Sequence, residues 1–150
     1  MLLKSFLKCQ SYFKHLTEPD LDALAHAIYV EDRPAGHLLV QEGKLGKEMY
    51  ILVEGEVKVT RYNPLTSESE ELKVLKAGEM FGLLSLTDHL PAAASCLAQG
   101  PIKVGILTRT GYNFLYKSAA PIALGFQFAV ARQLASDIRH RNNTLRGFLR

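Results

Sequence analysis

Apolar side chains recur at helical spacing near both ends of the chain and at strand spacing in the middle. Near the N-terminus, four apolar residues occupy the i, i+3, i+4 and i+7 positions of one helix face: Leu21, Leu24, Ala25 and Ile28. Thr17 can cap the start of this segment, and Asp20 stands three residues later, as in a capping box. The pattern therefore predicts an amphipathic helix that packs on a core.

From about Gly36 to Thr108 the hydrophobic period changes to two. Apolar and polar residues alternate over residues 57–62 and 102–107, as they do in half-buried strands. Residues that favour turns separate the strands at Gly43, Glu54-Gly55, Asn63-Pro64, Ala77-Gly78 and Gly100-Pro101. The acid-rich segment 67–71 is interpreted as an exposed hairpin tip. Many short strands with this punctuation predict an antiparallel barrel or jelly roll.

The helical period returns after Thr110. The first segment is a short helix that contains Tyr112, Phe114, Leu115 and Tyr116, and Pro121 can open a longer one from about Ala120 to Asn143. The first half of the long helix is apolar nearly all round, so it needs cover on more than one side. We therefore expect a homodimer through residues 120–140. The fold class is mainly β with flanking helices: N-terminal helices in 1–34, a β-roll in 35–109 and C-terminal helices in 110–150.

Composition limits the classes of function. The chain has 150 residues, 47% of them apolar, and a net charge of +3, which fits one domain and is too small a charge for a dedicated nucleic-acid binder. Cys9 and Cys96 form no ligand cluster, so reduced thiols are expected. The N-terminal apolar run is too short for a signal peptide or a membrane span. We expect a cytoplasmic protein with no membrane association.

The most specific motif lies between Gly78 and Ala98. It reads Gly-Glu-Met-Phe-Gly-Leu-Leu-Ser-Leu at 78–86 and Pro-Ala-Ala-Ala-Ser-Cys-Leu-Ala at 91–98. This stretch resembles the phosphate-binding cassette of cyclic-nucleotide-binding domains, as in catabolite activator proteins and protein kinase A regulatory subunits. The resemblance continues in Gly36, Glu42-Gly43, Met49-Tyr50-Ile51, Gly55-Glu56-Val57 and Pro121.

The resemblance implies a double-stranded β-helix, or β-roll, followed by the family's B and C helices. It also implies that cassette residues bind the ligand. Carried over position by position, the implied ligand-binding residues are Phe81, Gly82, Leu83, Leu84, Ser85, Ala92, Ala93, Ala94 and Ser95. A turn with glycine lets backbone approach a phosphate closely, and a short helix after Gly82 would point free amides at an anion.

Two positions depart from the family pattern. The family has Phe-Gly-Glu, whose carboxylate accepts from the ribose 2′-hydroxyl, and Pro-Arg-Ala, whose guanidinium pairs with the cyclic phosphate. Here the glutamate position is Leu83 and the arginine position is Ala92. Removing one partner of a buried charge pair costs roughly 2–5 kcal/mol, and a micromolar ligand has only about −8 kcal/mol of binding free energy. Cyclic AMP binding of the family type should therefore fall to the millimolar range or vanish.

Three interpretations of this cassette remain open. The pocket is filled by its own side chains, it binds a less polar ligand, or it binds a nucleotide in another pose. We expect no cofactor. The expected function is a regulatory or scaffolding module with lost or altered cyclic nucleotide binding. The alternative is a small-molecule sensor that still binds a cyclic nucleotide or another ligand and relays its presence through the C-terminal helix.

Enzymatic motifs are missing from the sequence. The five histidines do not have metal-ligand spacing, and no Gly-x-Ser-x-Gly turn is present, so no catalytic or metal residues are expected. Residues 121–150 carry five arginines and one aspartate, which suits either an acidic partner or a solvated helix end. No winged helix-turn-helix follows the predicted C helix, so we expect no DNA-binding domain in this chain and a protein effector as the partner.

Overall fold

The computed structural model describes the backbone of residues 2–149 and the side chains of residues 3–86 and 89–135. Two helices, α1 (Leu2–Lys8) and α2 (Glu18–Ala27), flank a single 3-10 turn at Ser11–Phe13. Thr17 caps α2 as predicted, because its amide and its hydroxyl both donate to the Asp20 carboxylate, at 3.4 and 2.9 Å. The N-terminal helical segment therefore forms as its sequence predicts.

Within residues 2–149, eight strands form two four-stranded antiparallel sheets. One sheet has the spatial order β1 (Tyr29–Arg33), β8 (Ile102–Thr108), β3 (Glu48–Glu54) and β6 (Met80–Phe81). The other has the order β2 (Leu38–Val40), β7 (Ser95–Ala98), β4 (Val57–Asn63) and β5 (Glu68–Leu75). Strands that are distant in sequence pair with each other, so the chain winds repeatedly between the sheets. This architecture is the predicted β-roll.

The remaining helices lie within and after the roll. Helix α3 (Leu83–Asp88) connects β6 to β7, and α4 (Arg109–Ser118) and α5 (Ala120–Leu149) follow the last strand. Helix α5 is longer than the predicted 120–143. In the described part of the chain no single helix is long and apolar enough to cross a membrane. Helix α4 and residues 120–135 pass that test only together, bent by 119°.

Two sequence predictions about boundaries are wrong. The roll begins at Tyr29, inside the segment 1–34 that was expected to be helical. Strand β1 is an edge strand with almost every side chain exposed, so it lacks the alternation that reveals a half-buried strand. Residues 68–71 belong to β5 and not to a hairpin tip, because Asn63 pairs with Glu68 and the turn is 64–67. The exposed start of an edge strand is as polar as a turn.

The core has two parts. One fills the roll, and the other joins the roll to the helices through residues that include Leu24, Leu83, Tyr112 and Phe126. Helix α5 contributes one buried face, formed by Ile122, Ala123, Phe126 and Ala129. Its other face is open, with Leu124 57%, Phe128 52% and Leu134 45% exposed. Among the side chains that the structure describes, none supplies the cover that the sequence requires on this second side. The arginines beyond Arg132 lie outside the described side chains.

Candidate functional site

A cavity of about 1140 Å³ opens between the roll, the segment 78–98 and helix α5. Both sheets contribute to its wall, and so do the 3-10 turn and residues 128–135 of α5. Of the nine site residues that the sequence predicts, seven line it: Phe81, Gly82, Leu84, Ser85, Ala92, Ala93 and Ala94. The other two, Leu83 and Ser95, do not. The structure therefore brings most of the predicted site together around one space.

The turn at Gly82 fixes one end of the site. Gly82 has φ +78°, and a Cβ there would lie 3.0 Å from the Glu48 carbonyl oxygen, so only glycine fits without strain. The preceding Phe81 stacks on Tyr50, with ring centroids 5.1 Å apart. The Tyr50 hydroxyl donates to the Leu39 carbonyl at 3.3 Å, and burial raises the pKa of Tyr50 to about 12. This end of the cavity is a rigid aromatic wall that stays uncharged at neutral pH.

Leu83 occupies a different environment from the one expected of a ligand-binding residue. Its side chain is 1% exposed and belongs to the buried cluster that contains Met49, Leu86 and Leu107. Leu83 therefore holds helix α3 onto the core. The prediction that Leu83 contributes to the ligand site is not supported by its place in the fold, because its side chain packs under the helix and away from the cavity.

Ala92 does reach the cavity. Its amide donates to the Lys44 carbonyl and its carbonyl accepts from the Gly43 amide, both at 2.9 Å, so the backbone here is held by the loop after β2. Ala93 and Ala94 continue the wall with methyl groups. At the position where the resemblance implies a guanidinium, the wall is apolar and well anchored.

The two cassette hydroxyls bind backbone groups. Ser85 is buried, and its hydroxyl donates to the Leu90 carbonyl at 3.0 Å. The Ser95 hydroxyl accepts from the Glu42 amide at 2.9 Å, and Ser95 does not line the cavity. Both side chains therefore stabilise the loop between α3 and β7, and neither replaces the missing arginine.

The sequence predictions missed the part of the cavity wall that β4 and β5 form. Arg61 of β4 and Lys73 of β5 line the cavity beside Val59 and Leu72. A signal was present, because Arg61 continues the alternation of Val57 and Val59, both of which are buried, and so falls on the inward face of the strand. A cation on the inward face of a roll could have marked this wall from the sequence.

The N-terminal turn and α5 close the remaining side. The Tyr12 hydroxyl donates to the Gly78 carbonyl, and burial raises the pKa of Tyr12 to about 12. Arg132 of α5 donates to the Ser11 hydroxyl at 2.7 Å. A Cβ at Gly125 would lie 2.7 Å from the Tyr12 carbonyl oxygen, so the glycine permits this close packing. The cavity wall thus includes both helical segments that flank the roll.

Arg109, the first residue of α4, joins the cassette helix to the C-terminal helices. Its Nη2 donates to the Gly46 carbonyl at 2.6 Å and lies 3.5 Å from the Ser85 carbonyl oxygen. Its Nη1 lies 3.1 Å from Nδ1 of His89, which ends α3 in a left-handed conformation. A cation at the C-terminal end of a helix is favourably placed against the helix dipole. A shift of α3 would therefore displace Arg109 and, with it, the start of α4.

The two thiols differ in exposure although both line the cavity. Cys96 is buried in β7, and burial raises the pKa of its thiol to about 12. Cys9 is exposed at the edge of the cavity, after α1. Cys96 is therefore an inert part of the wall, as its alternation in the strand predicts.

Comparisons with known proteins agree with this geometry. Residues 30–118 match the family model described as Cyclic nucleotide-binding domain. The cAMP-dependent protein kinase regulatory subunit of Neurospora crassa is 31% identical over 121 residues, which cover 81% of this chain and 30% of the relative. Human cGMP-dependent protein kinase 2 is 30% identical over 111 residues, which cover 73% and 15%. The chain thus spans less than a third of either kinase protein.

Solved structures share the fold. The Catabolite Activator Protein of Thermus thermophilus superposes with a TM-score of 0.77 and 25% identity, covering 89% of this chain and 62% of that one. A cyclic nucleotide-binding domain from Methylobacillus flagellatus gives a TM-score of 0.82 at 20% identity, covering 97% and 82%. These neighbours confirm the predicted class of antiparallel roll with flanking helices.

Proposed function

The chain belongs to the cyclic nucleotide-binding domain family, and from this premise we propose that it is a non-catalytic regulatory module with altered ligand choice. One observation carries the proposal: a large cavity adjoins the cassette, and alanine stands at the position where the family has its arginine. Ala92 lines the open volume of about 1140 Å³, and Leu83 is buried outside it. A cyclic phosphate at the cassette would therefore meet methyl groups where the family supplies a guanidinium.

Of the three interpretations of the cassette, the geometry favours altered binding. The described side chains leave the cavity open, so self-filling is not supported. Ala92, Ala93 and Ala94 are too short to close it, and the Tyr50 and Phe81 rings stack on each other along its wall. A cavity with aromatic and aliphatic walls suits a small molecule. The pocket is therefore proposed to bind a ligand, and cyclic nucleotides of the family type bind it poorly.

The proposed output runs through the C-terminal helices. Arg109 links the end of α3 to the start of α4, and residues 128–135 of α5 form part of the cavity wall. A ligand that touches both walls stabilises one relative placement of the roll and helices, which is the requirement for a population shift. We propose that a protein effector binds the C-terminal helices in that placement.

The location of the protein is part of the same proposal. Two free thiols, Cys9 and Cys96, suit a reducing compartment, so we propose a cytoplasmic location.

A second copy of the chain is the proposed cover for the open face of α5. Leu124, Phe128, Ala131 and Ala135 are all exposed and follow one another at spacings of four, three and four residues. That spacing is the seam of a coiled coil, in which two helices pack side by side. Homodimerisation through this seam would bury the exposed aromatic and aliphatic side chains.

The test of altered ligand choice is thermal unfolding with 1 mM cyclic AMP or cyclic GMP. A ligand with a dissociation constant near 10 μM would stabilise the fold by about 2.7 kcal/mol, a rise in Tm of roughly 5–10 °C. We expect no measurable rise for the wild type. The variant Ala92→Arg should gain a rise of about 2–5 °C with cyclic AMP, because one charge-assisted hydrogen bond is restored.

Gln99→Arg is the matched control, since it adds the same charge at an exposed position outside the cavity. It should respond no more than the wild type. A clear rise for the wild type with either nucleotide would overturn the proposal. An Ala92→Arg variant that folds but does not respond would show that this cavity is not the equivalent of the family's site.

The dimer is tested by sedimentation equilibrium. The wild type should sediment as a dimer, and Leu124→Asp or Ala131→Asp should give monomers, because each places a charge in the proposed seam of α5. Leu65→Asp is the matched control, since Leu65 is 93% exposed in the turn between β4 and β5. A monomeric wild type, or dimers in both α5 variants, would contradict this part of the proposal.

A further inference from the structure

We infer that the cavity binds an organic anion with an apolar body, whose acid group lies against Arg61 on β4. The inference rests on the proposed function, since it names the ligand class of the same cavity. It follows from how charge and apolar surface are distributed over the described part of the cavity wall.

The cations of the cavity are not equivalent. Arg132 donates to the Ser11 hydroxyl at 2.7 Å. The Glu79 carboxylate accepts from the Lys76 amide at 2.6 Å and is exposed. These two charged groups of the wall therefore already have hydrogen-bond partners.

Arg61 is different. It is half-buried in β4, and no ion pair or side-chain hydrogen bond joins its guanidinium to another residue whose side chain is described. Glu70 stands opposite on β5, but its carboxylate accepts from Asn63 Nδ2 at 2.6 Å and does not line the cavity. Lys73, on the neighbouring strand, lines the same wall. A partly desolvated guanidinium that faces a cavity favours a carboxylate or another planar acid.

The rest of the wall is apolar where the family binds its charged group. At the cassette end the cavity is lined by Phe81, Ala92, Ala93 and Ala94, and Leu39 and Val40 continue this surface along β2. A ligand that places its acid at Arg61 therefore rests its apolar body against these side chains. A cyclic nucleotide fits this arrangement poorly, because its ribose and phosphate would lie unpaired against methyl groups or its base would lose hydrogen bonds to water.

Two fluorescent probes test this distribution, because they differ only in the acid group. 8-Anilinonaphthalene-1-sulfonate carries a sulfonate, and N-phenyl-1-naphthylamine is the same ring system without it. Titration of the full chain should give saturable binding of the sulfonate at least tenfold tighter than that of the neutral probe. Comparable affinity for the two probes would overturn the inference.

Arg61→Gln should weaken the sulfonate probe about tenfold or more and leave the neutral probe within a factor of two, since a hydrogen bond to a charged group is lost. Lys58→Gln is the matched control, because it removes one positive charge from the same strand at a residue that does not line the cavity. Arg61→Lys keeps the charge and should retain most of the affinity, and urea unfolding confirms that each variant is folded. Equal weakening by Lys58→Gln, or none by Arg61→Gln, would overturn the inference.

Ala94→Trp locates the probe, because an indole there fills part of the cavity and should weaken both probes. Unchanged binding of both would place them elsewhere and contradict the inference. Failure of the two proposals is distinguishable. A wild type that binds cyclic AMP defeats the proposed function, whereas a wild type that ignores cyclic AMP and does not discriminate between the probes defeats only the anion site.

Discussion

The two cassette positions that depart from the family pattern have different surroundings. Leu83 is 1% exposed in the cluster that holds α3 to the core, whereas Ala92 lies in the wall of the open cavity. The first replacement therefore serves packing, and the second changes what the cavity can bind. In the sequence, Leu83 and Ala92 look like a single loss of ligand binding. In the structure they have two separate effects, one on packing and one on the chemistry of the cavity.

The largest expected effect comes from placing the same charge at both positions. Leu83→Glu should prevent folding or reduce the free energy of unfolding by more than about 4 kcal/mol, because it buries a carboxylate without a partner. Ala92→Glu should stay within about 1 kcal/mol of the wild type, since its side chain can extend into the cavity. Urea denaturation followed by circular dichroism measures both.

Leu83→Ala provides a second measurement in case Leu83→Glu does not fold. It should lower the free energy of unfolding by about 2–5 kcal/mol, the usual cost of truncating a buried leucine. If Leu83→Glu folds with stability near the wild type, its side chain reaches solvent or the cavity. The contrast between the two positions would then be wrong.

The next effect concerns the turn that starts the cassette helix. Gly82→Ala should cost about 1–3 kcal/mol, because alanine is strained at φ +78° and its Cβ would press on the Glu48 carbonyl oxygen at 3.0 Å. Gly43→Ala is the matched control, with φ +80° and open space around the new methyl group. The difference between the two variants in thermal or urea unfolding measures the close contact alone. Equal costs would show that Gly82 is needed only for its backbone angle.

Chemical modification of the two thiols is expected to have the smallest effect on stability. Here the two cysteines are compared by the rates at which they are alkylated. At pH 8, iodoacetamide should alkylate Cys9 at least about a hundredfold faster than Cys96, because burial raises the pKa of Cys96 to about 12 and also limits access. Below that pKa, each unit of pH raises the Cys96 thiolate fraction about tenfold. Cys9→Ser should abolish the fast phase seen by mass spectrometry, and Cys96→Ser should preserve it. A fast phase in Cys9→Ser would mean that the β7 wall is open to solvent.

The same raised pKa makes Cys96 one source of alkaline destabilisation. Its thiol ionises near pH 9 in the unfolded chain and near pH 12 in the folded one, so its ionisation favours unfolding as the pH rises through that interval. Tyr12 and Tyr50 act in the same direction, because burial raises the pKa of each to about 12. The effect on stability is absent at neutral pH, where all three groups are protonated in both states.

Several parts of the molecule are readable from local sequence. The capping residues at Thr17 and Asp20 predict the start of α2, and the turn residues divide the roll into its strands because glycine readily adopts the positive φ that many turns need and proline fixes φ and lacks an amide donor. The cassette motif led to the correct fold class. Strand β1 was not predictable, since an exposed edge strand has no hydrophobic period. The alternation with Val57 and Val59 indicates that Arg61 points inward. The sequence does not indicate that a cavity lies there, because the cavity is formed by elements far apart in the chain.

The sequence by itself determined the family fold and the absence of the cassette arginine, because turn glycines, hydrophobic period and motif spacing are local properties. It predicted Ala92, Ala93 and Ala94 as site residues, and all three line the cavity. Only the tertiary structure decided that Leu83 belongs to the core and Arg61 to the cavity. Those assignments depend on which face of α3 meets the helices and on how β4 pairs with β5 and β7, and both are set by contacts between residues far apart in the chain.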